Sequence, residues 1–425
     1  MFFAVWLYIE RLIGRTGKHG GLVMRRNIIL LRIISGVRWF LLVMPVLILF
    51  YESNDLTLFQ AITIQAFFSL CVLIMEVPTG YLGDRFGWRC SLILGSIMAS
   101  VGMLLLSMSS SYGLFAISEF CMAMAYCLFS GSDSALLYES LVDMKKEHEY
   151  LGEEGVLLAV GYIGEGVAAI LGGFLAYASL RLPVIINFFV FLSLIPLSVL
   201  LCKPKSNKNK SLDDVDLQGG RYLRKDAYAI IQFIADDPLL RWVALYSGFT
   251  GFLALMSAWL MQSYFKLTGY EIYYIGILWA MLNFAKSLAA GFVNKINHFL
   301  GTRQLFFIAP MVMACCALCM GVHVSLFTML LGLIIQSMRG VQLPLVFMII
   351  NNRCRSDIRA AILSVEGMVM RIFFVLLGPL IGLLINFESI NVAFYAISIL
   401  SAVGGLFVYY KFQYYFKATE LGAGV

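Results

Sequence analysis

The stretch Gly80-Tyr81-Leu82-Gly83-Asp84-Arg85-Phe86-Gly87-Trp88-Arg89 is charged and rich in glycine, and it separates two long apolar runs. The run before it covers residues 57–78, and the run after it covers residues 91–110. Because glycine has no Cβ, Gly80 and Gly87 favour close packing and a sharp turn. We expect a short hinge between two helices at this point.

The composition is that of a membrane protein. The 425 residues are 61% hydrophobic and only 13% charged, and the mean hydropathy is +0.86. Soluble domains are about half apolar and about a quarter charged. The apolar runs extend almost from end to end, which excludes an enzyme domain carried by a single anchor. The net charge of +6 does not indicate nucleic acid, because the basic residues form no stripe with interleaved aromatic residues.

The cysteines and histidines indicate neither a disulfide framework nor a metal site. The four histidines are scattered, and the nine cysteines form no secreted pattern. Cys315, Cys316 and Cys319 share one apolar run without a second pair elsewhere, so we take them as small packing residues. The sequence therefore predicts no cofactor and no metal.

Twelve apolar runs are long enough to cross a bilayer as helices, which takes about 20 residues. Their approximate limits are 28–51, 57–78, 91–110, 113–138, 155–178, 183–202, 240–265, 272–294, 304–322, 325–349, 359–385 and 389–411.

The basic residues predict the orientation of these spans. If the N-terminus is inside, nearly all loop Lys and Arg residues are cytoplasmic, and the external loops hold only Arg181 and Lys266. Cytoplasmic loops of membrane proteins carry such an excess of positive charge. We therefore expect a multi-pass protein of the cell (inner) membrane with both termini in the cytoplasm.

The longest break, residues 203–239, divides the spans into two groups of six. It opens with a polar run and becomes amphipathic from Arg221 to Ile234, and Asp236-Asp237-Pro238 has the pattern of a helix start. Two interpretations of the first residues stay open: an interfacial helix, or a natural start at Met24. The predicted organisation is a cytoplasmic segment 1–27, a six-helix bundle 28–202, a linker 203–239, a second bundle 240–411 and a cytoplasmic tail 412–425.

The two groups of six contain a faint repeat. Leu56-Thr57 precedes the second span, and Leu267-Thr268 precedes the eighth. Gly80 and Gly291 follow at the same offset and are expected to end these spans. Gly87-Trp88-Arg89 then has a counterpart in Gly301-Thr302-Arg303. Parallel repeats of this kind occur in transporters.

The hinge resembles the loop between the second and third helices of major facilitator superfamily transporters, whose pattern is Gly-x-Leu-Ala-Asp-Arg-x-Gly-Arg-Arg/Lys. The matching residues are Gly80, Leu82, Asp84, Arg85, Gly87 and Arg89, while Gly83 and Trp88 differ. Residues 76–80 and 129–140 resemble a large bacterial branch whose substrates are mostly unassigned. The resemblance implies an all-α polytopic fold of twelve transmembrane helices in two six-helix bundles, which works by alternating access.

The same resemblance implies a gate built from Gly80, Asp84, Arg85, Gly87, Arg89 and Glu139. The carboxylate of Asp84 would meet the start of the eleventh helix, where unpaired N–H groups favour a negative charge. Arg85 and Arg89 would meet acidic groups such as Glu139. These contacts would close the cytoplasmic side and favour the outward-open state.

Charged residues within the spans are the candidates for function, because a charge near the bilayer centre costs about 2.5–3.5 kcal/mol. They are Arg38, Glu119, Glu165, Lys286, Arg339, Glu366 and Arg371. Spans 3, 6, 9 and 12, which face lipid in the family, carry none of them. All but Glu366 are candidate cavity or substrate-binding residues. Glu119, Glu165 and Glu366 are candidates for proton coupling, because a buried carboxyl group can carry a proton.

The arginines favour one class of substrate. A guanidinium binds carboxylate or phosphate through its planar fork. We therefore expect a monomeric secondary transporter, with H+ as the candidate coupling ion, for a small organic anion or a carboxylate-bearing zwitterion. In the alternative interpretation, Arg38, Arg339 and Arg371 pair with Glu119, Glu165 and Glu366 and hold the two halves together.

Other functions are weaker interpretations. A multidrug/proton antiporter is the runner-up, although Glu119 stands where the family's drug antiporters usually carry arginine. A non-transporting sensor or scaffold would leave the central charges without a reason. The chain has no phosphate-binding Gly-x-x-x-x-Gly-Lys-Ser/Thr loop, so we expect no ATP-driven transport. The substrate, the direction of transport and the coupling ion stay open.

Overall fold

The computed structural model describes residues 20–204, 232, 236–353 and 359–422. Most of the first segment, where the interfacial helix is predicted, and nearly all of the linker, with its amphipathic stretch, lie outside these residues. The part of the chain that is described is helical and contains no strand.

Nine helices precede the linker, and eight follow it, within the described residues. The first nine are α1 (Gly20–Arg38), α2 (Leu47–Glu52), α3 (Leu58–Phe86), α4 (Trp88–Met108), α5 (Tyr112–Phe129), α6 (Ser132–Asp143), α7 (Tyr150–Ala178), α8 (Arg181–Leu192) and α9 (Leu194–Val199). The others are α10 (Pro238–Leu267), α11 (Tyr273–Gly291), α12 (Val293–Leu300), α13 (Thr302–Val322), α14 (Leu326–Arg353), α15 (Arg359–Phe387), α16 (Ile390–Ile399) and α17 (Gly405–Gly422).

Several predicted spans consist of more than one of these helices. Within the described residues, 10 stretches are long and apolar enough to cross a membrane, and the number is 11 if α11 and α12, which meet at 58°, form one span. The predicted count of twelve is therefore not reached by length and composition alone. The difference lies in the first predicted span, 28–51, which is divided between α1 and α2.

The break between α1 and α2 is stabilised by two buried amide side chains. Pro45 lies in the short 3₁₀ turn of this break and has no backbone N–H to give. Asn187 of α8 accepts a hydrogen bond from the Val43 backbone N–H at 3.0 Å and donates to the Phe40 carbonyl at 2.9 Å. Gln262 of α10 accepts from the Ile48 N–H at 2.8 Å. Such partners are needed because backbone groups within a membrane have no water to bond.

The long helices alternate in direction, so their turns gather at two ends of the bundle. We call these the Glu52 end, where α2 stops and α3, α8 and α11 begin, and the Arg89 end, where α4, α7 and α13 begin. Positive-inside charge predicts that the Arg89 end is cytoplasmic.

The predicted hinge is mostly helix, which corrects the sequence analysis. Helix α3 continues through Gly80 to Phe86, and only Gly87 breaks it, with φ of 88°. Charged residues can continue a helix, whereas a residue with positive φ, such as Gly87, ends it. A Cβ added at Gly80 would meet no atom within 4 Å, so the expected close packing at Gly80 is wrong. Gly301 breaks the chain before α13 in the same conformation, with φ of 79°.

Two long contacts join the helices before the linker to those after it. Helix α3 packs along α15, and α7 packs along α11. The second contact is very close, because a Cβ added at Gly276 would lie 2.2 Å from the Ala169 carbonyl oxygen. The glycines thus let the two backbones approach more closely than any side chain would allow.

Candidate functional site

Arg38 forms an ion pair within the part of the chain before the linker. Its guanidinium lies 3.0 Å from the Asp133 carboxylate and also lies over the Phe129 ring at 5.5 Å. Asp133 is positioned by the break at Gly131, which has φ of 74° and starts α6. Arg38 therefore already has an anionic partner, and Glu119 is not that partner.

More charges surround this pair. Ser134 donates a hydrogen bond to a Glu154 carboxylate oxygen at 2.6 Å, and Arg32 pairs with Glu153. Sequence reasoning missed Arg32 and Asp133 although both lie inside predicted spans, so the rule that selected Arg38 would also have selected them. These residues make one polar cluster between α1, α6 and α7.

Arg339 and Glu366 pair with each other inside the second part of the chain. Their charged groups lie 2.8 Å apart, and the two residues are only 8% and 6% exposed. Ser247 completes the group, because Arg339 donates to its carbonyl and hydroxyl oxygens at 3.0 Å and its hydroxyl donates to Glu366 at 2.5 Å. The alternative interpretation, in which the central arginines pair with the central glutamates, describes Arg339 and Glu366 in this structure. The pair does not join two halves, however, because α10, α14 and α15 all follow the linker.

Glu119 is buried without an arginine. It is 6% exposed, and its carboxylate accepts hydrogen bonds from the Tyr51 hydroxyl at 2.6 Å and the Gln65 amide at 3.3 Å. The three residues come from α2, α3 and α5. The hydrogen-bond donors to the Glu119 carboxylate are therefore neutral groups. The alternative expectation that Glu119 pairs with an arginine is wrong.

Glu165 lies where α7 meets α11. Its carboxylate accepts a hydrogen bond from the Asn283 amide at 3.1 Å. Lys286, one turn further along α11, is its electrostatic neighbour and has an exposed side chain. Asn283 was not selected from the sequence, because an amide within an apolar run gives no signal of its own. This group connects parts of the chain on either side of the linker.

Arg371 makes the second polar connection across the linker. Its guanidinium lies 4.8 Å from the centre of the Tyr126 ring and 5.8 Å from that of Phe68, which is within the range of cation–π attraction. Glu76 of α3 is its electrostatic neighbour. Glu76 lies inside the second predicted span, so it is another charge that the sequence analysis should have included. Within the described residues, Arg371 has no carboxylate within 4.0 Å.

The structure shows the contacts of only some of the predicted gating residues. Arg89 donates to the Val199 carbonyl at 2.7 Å, and its expected contact with acidic groups such as Glu139 stays a prediction. A carbonyl at the end of α9 has no helical partner and can take such a bond. Gly87 makes the expected sharp turn. The contact of Asp84 with the start of α15 stays a prediction, because residues 354–358 lie outside the described part.

At the Glu52 end, side-chain contacts connect α2 to α10. Glu52 accepts a hydrogen bond from the Ser263 hydroxyl at 2.7 Å and pairs with Lys266 at 3.3 Å. Nearby, Phe174 of α7 stacks on Tyr273 of α11, with ring centres 5.6 Å apart. Together with the Gly276 contact, these interactions close this end between the two parts of the chain.

Comparison with known proteins now places the chain. The sequence profile described as Major Facilitator Superfamily matches residues 28–300, so the chain belongs to this superfamily. It is a multi-pass membrane protein and a transporter rather than an enzyme. No curated protein is significantly similar to the chain in sequence.

Solved structures agree in fold. A crystal structure of the nucleoside transporter NupG superimposes with a TM-score of 0.72 at 12% identity, covering 92% of this chain and 99% of that one. A POT family transporter in complex with 5-aminolevulinic acid gives a TM-score of 0.66 at 11% identity, covering 92% of this chain and 96% of that one. At such low identity the likeness concerns the fold and not the substrate.

Proposed function

We propose that the protein is a secondary active transporter that moves a small carboxylate-bearing zwitterion, or an organic anion, by alternating access. The observation that carries the proposal is the pair of polar connections across the linker, one around Glu165 and one around Arg371. Groups that meet between two moving halves are the groups that a substrate can reach and that rocking can separate.

The architecture proposed is that of twelve spans in two six-helix halves. In this proposal, α1 and α2 together form the first span, and the bent pair α11 and α12 forms the eighth. The halves are residues 28–202 and 240–411, joined by the linker, with both termini in the cytoplasm. The protein acts as a monomer of the inner membrane and uses no cofactor.

The proposed substrate follows from which charges are already paired. Arg38 is held by Asp133, and Arg339 is held by Glu366. Lys286 and Arg371 are the central cations without a carboxylate within 4.0 Å among the described residues. A substrate carboxylate would therefore bind Arg371 or Lys286, and a substrate ammonium group would bind Glu165. This arrangement favours a zwitterion over a simple anion.

Proton coupling is proposed to occur at Glu165. Its carboxylate accepts a hydrogen bond from the Asn283 amide and has Lys286 as its electrostatic neighbour, and both residues belong to α11 of the other half. Adding a proton would remove the attraction to Lys286 and weaken the connection between α7 and α11. Protonation would then bias the movement of the halves. Glu119 and Glu366 are less suited, because each is buried with its partners inside one part of the chain.

A multidrug/proton antiporter is the alternative, and one observation favours it. The Glu165 carboxylate lies one turn from the exposed Tyr162 ring, and Tyr126 and Phe68 add aromatic faces. A carboxylate with aromatic rings suits a lipophilic cation. Such a cation would, however, be repelled by Arg371 and Lys286.

Thermal-shift screening of the purified protein tests the substrate class. We expect amino acids, short peptides or organic acids to raise the midpoint of thermal unfolding, and we expect this shift to disappear in Arg371→Gln. Arg181→Gln is the matched control, because Arg181 also lies over an aromatic ring, that of Phe50, but at the Glu52 end. Stabilisation by cationic drugs alone would replace the proposal with the alternative.

Flux measurements in proteoliposomes then test coupling. A stabilising solute should accumulate in vesicles under an imposed pH gradient. Glu165→Gln should abolish this accumulation while preserving exchange of labelled for unlabelled solute, because exchange requires no net proton movement. Accumulation that is unchanged in Glu165→Gln would remove this residue from the coupling mechanism.

A further inference from the structure

We propose that a pocket between α13 and α17 at the Arg89 end binds the headgroup of a membrane phospholipid that carries a hydrogen-bond donor. The pocket has a volume of about 330 Å³ and is lined by Arg303, Tyr409, Tyr410, Gln413 and Tyr414. It lies away from the charges assigned above to transport. One cation, one amide and three phenol rings are a suitable lining for a polar headgroup at a membrane surface.

Gln413 provides the first observation that points to a ligand. The residue is only 8% exposed, and its amide nitrogen donates to the Tyr409 hydroxyl at 2.5 Å. Its amide oxygen is buried and has no hydrogen-bond partner among the described residues. A buried polar atom without a partner is costly and rare. This oxygen accepts hydrogen bonds, so the group that fits it is a donor such as an ammonium or a hydroxyl.

Arg303 provides the second sign, through its counterpart Arg89. In the repeat, both arginines follow a glycine that breaks the chain, Gly87 or Gly301, by two residues. Arg89 donates to the Val199 carbonyl, which is free because α9 ends there. Arg303 faces α17, which continues as a helix to Gly422, so its carbonyls are used within the helix. Within the described residues, Arg303 has no hydrogen bond or ion pair.

The neighbouring surface suits acyl chains. An exposed apolar stripe leads from the pocket toward the Glu52 end, with residues at intervals of three or four. It consists of Tyr414, Tyr410, Phe407, Val403 and Ile399. This spacing places side chains on one face of a helix. A lipid with its phosphate on Arg303 can therefore lay its chains along this stripe.

The two polar groups together define the headgroup. The phosphodiester would bind the Arg303 guanidinium, and a donor beyond it would bind the Gln413 amide oxygen. Phosphatidylethanolamine has an ammonium in this position and phosphatidylglycerol has hydroxyl groups, whereas phosphatidylcholine has no donor. The proposal therefore predicts discrimination against phosphatidylcholine.

Native mass spectrometry of the purified full chain, titrated with each of the three lipids, tests the proposal. We expect phosphatidylethanolamine or phosphatidylglycerol to bind about tenfold more tightly than phosphatidylcholine, because only these two can donate a hydrogen bond to the buried Gln413 oxygen. Gln413→Leu should remove this preference, and Arg303→Gln should weaken the binding of all three lipids, because all three carry the phosphodiester. Lys295→Gln is the control, because Lys295 is an exposed cation at the same end that lies over Phe292 instead.

Each other outcome contradicts the proposal. Equal binding of all three lipids, or unchanged lipid affinity in Arg303→Gln, would overturn it. Competition by glycerophosphate as strong as that by the intact lipid would show a site for a free anion. Arg303 is exposed, so its variant is expected to fold, which keeps the test decisive even if Gln413→Leu is unstable.

Discussion

At the scale of the residue, the central charges fall into two kinds. Arg339 and Glu366 are buried, close together and enclosed by Ser247, so they satisfy one another inside one part of the chain. Glu165 and Arg371 instead meet neutral or aromatic partners across the linker. We infer that the first kind stabilises the structure, and in the proposed function the second kind meets the substrate.

The buried pair leads to a prediction about stability. Arg339→Gln leaves the Glu366 carboxylate buried without its cation, which costs about 3–5 kcal/mol. The midpoint of thermal unfolding in detergent, followed by tryptophan fluorescence, should therefore fall strongly. Arg38→Gln should lower it less, because the Arg38 and Asp133 side chains are 21% and 13% exposed and water can reach them.

A double variant separates the ion pair from the rest of the site. Arg339→Gln combined with Glu366→Gln removes both charges and should recover part of the lost stability. If Arg339→Gln unfolds at the temperature of the unmodified protein, the pair is not a stabilising element.

At the scale of the element, backbone conformation decides where the helices end. The ten residues of the predicted hinge contain three charges and three glycines, yet helix α3 includes the first seven of them, up to Phe86. Gly87 alone has the positive φ that stops it. The equivalent conformation of Gly301 supports the repeat that the sequence indicated.

Alanine substitutions test this difference between glycines. Gly87→Ala forces an L residue into a conformation that essentially only glycine adopts, at a cost of about 1–3 kcal/mol. Gly80→Ala should instead stabilise the protein by about 0.5–1 kcal/mol, because it replaces glycine within a helix and meets no atom within 4 Å. Thermal unfolding of the two variants should shift in opposite directions.

Gly301→Ala tests the effect of backbone conformation alone. A Cβ at Gly301 would meet no atom within 4 Å, so any loss of stability comes from the backbone. Equal stability of the Gly80, Gly87 and Gly301 variants would argue against the role given to positive φ.

At the scale of the whole molecule, the structure is closed at the Glu52 end. Helices α2 and α10 are joined there by Glu52 and Gln262, and α7 and α11 touch through glycine. Alternating access requires these contacts to form and break as the halves move. A substitution that prevents these contacts should therefore favour the state that is open at the Glu52 end.

Gly276→Val should prevent the close contact between α7 and α11. Its Cβ would lie 2.2 Å from the Ala169 carbonyl oxygen and 2.9 Å from the Gly173 Cα, so α7 and α11 would have to separate. Hydrogen–deuterium exchange should then become faster in α2, where the Ile48 N–H loses its Gln262 partner. Gly166→Ala is the control on α7, because a Cβ there meets no atom within 4 Å. Unchanged exchange in Gly276→Val would show that this contact does not control closure.

The sequence by itself determined that this is a helical membrane protein, where most of its spans lie, and which family it resembles. These features depend on hydrophobic run length, on the positions of charges and on glycine, all of which are local. It also held the signal for Arg32, Glu76 and Asp133, since each lies inside a predicted span.

Only the tertiary structure decided how these residues are used. Which carboxylate meets Arg38 or Arg339, and whether a pair lies within or between the two parts of the chain, depends on how distant helices pack. The break at Pro45 likewise exists because Asn187 and Gln262, far along the chain, supply its hydrogen bonds. A linear pattern shows that a charge within the membrane needs a partner, but helix packing determines which partner it has.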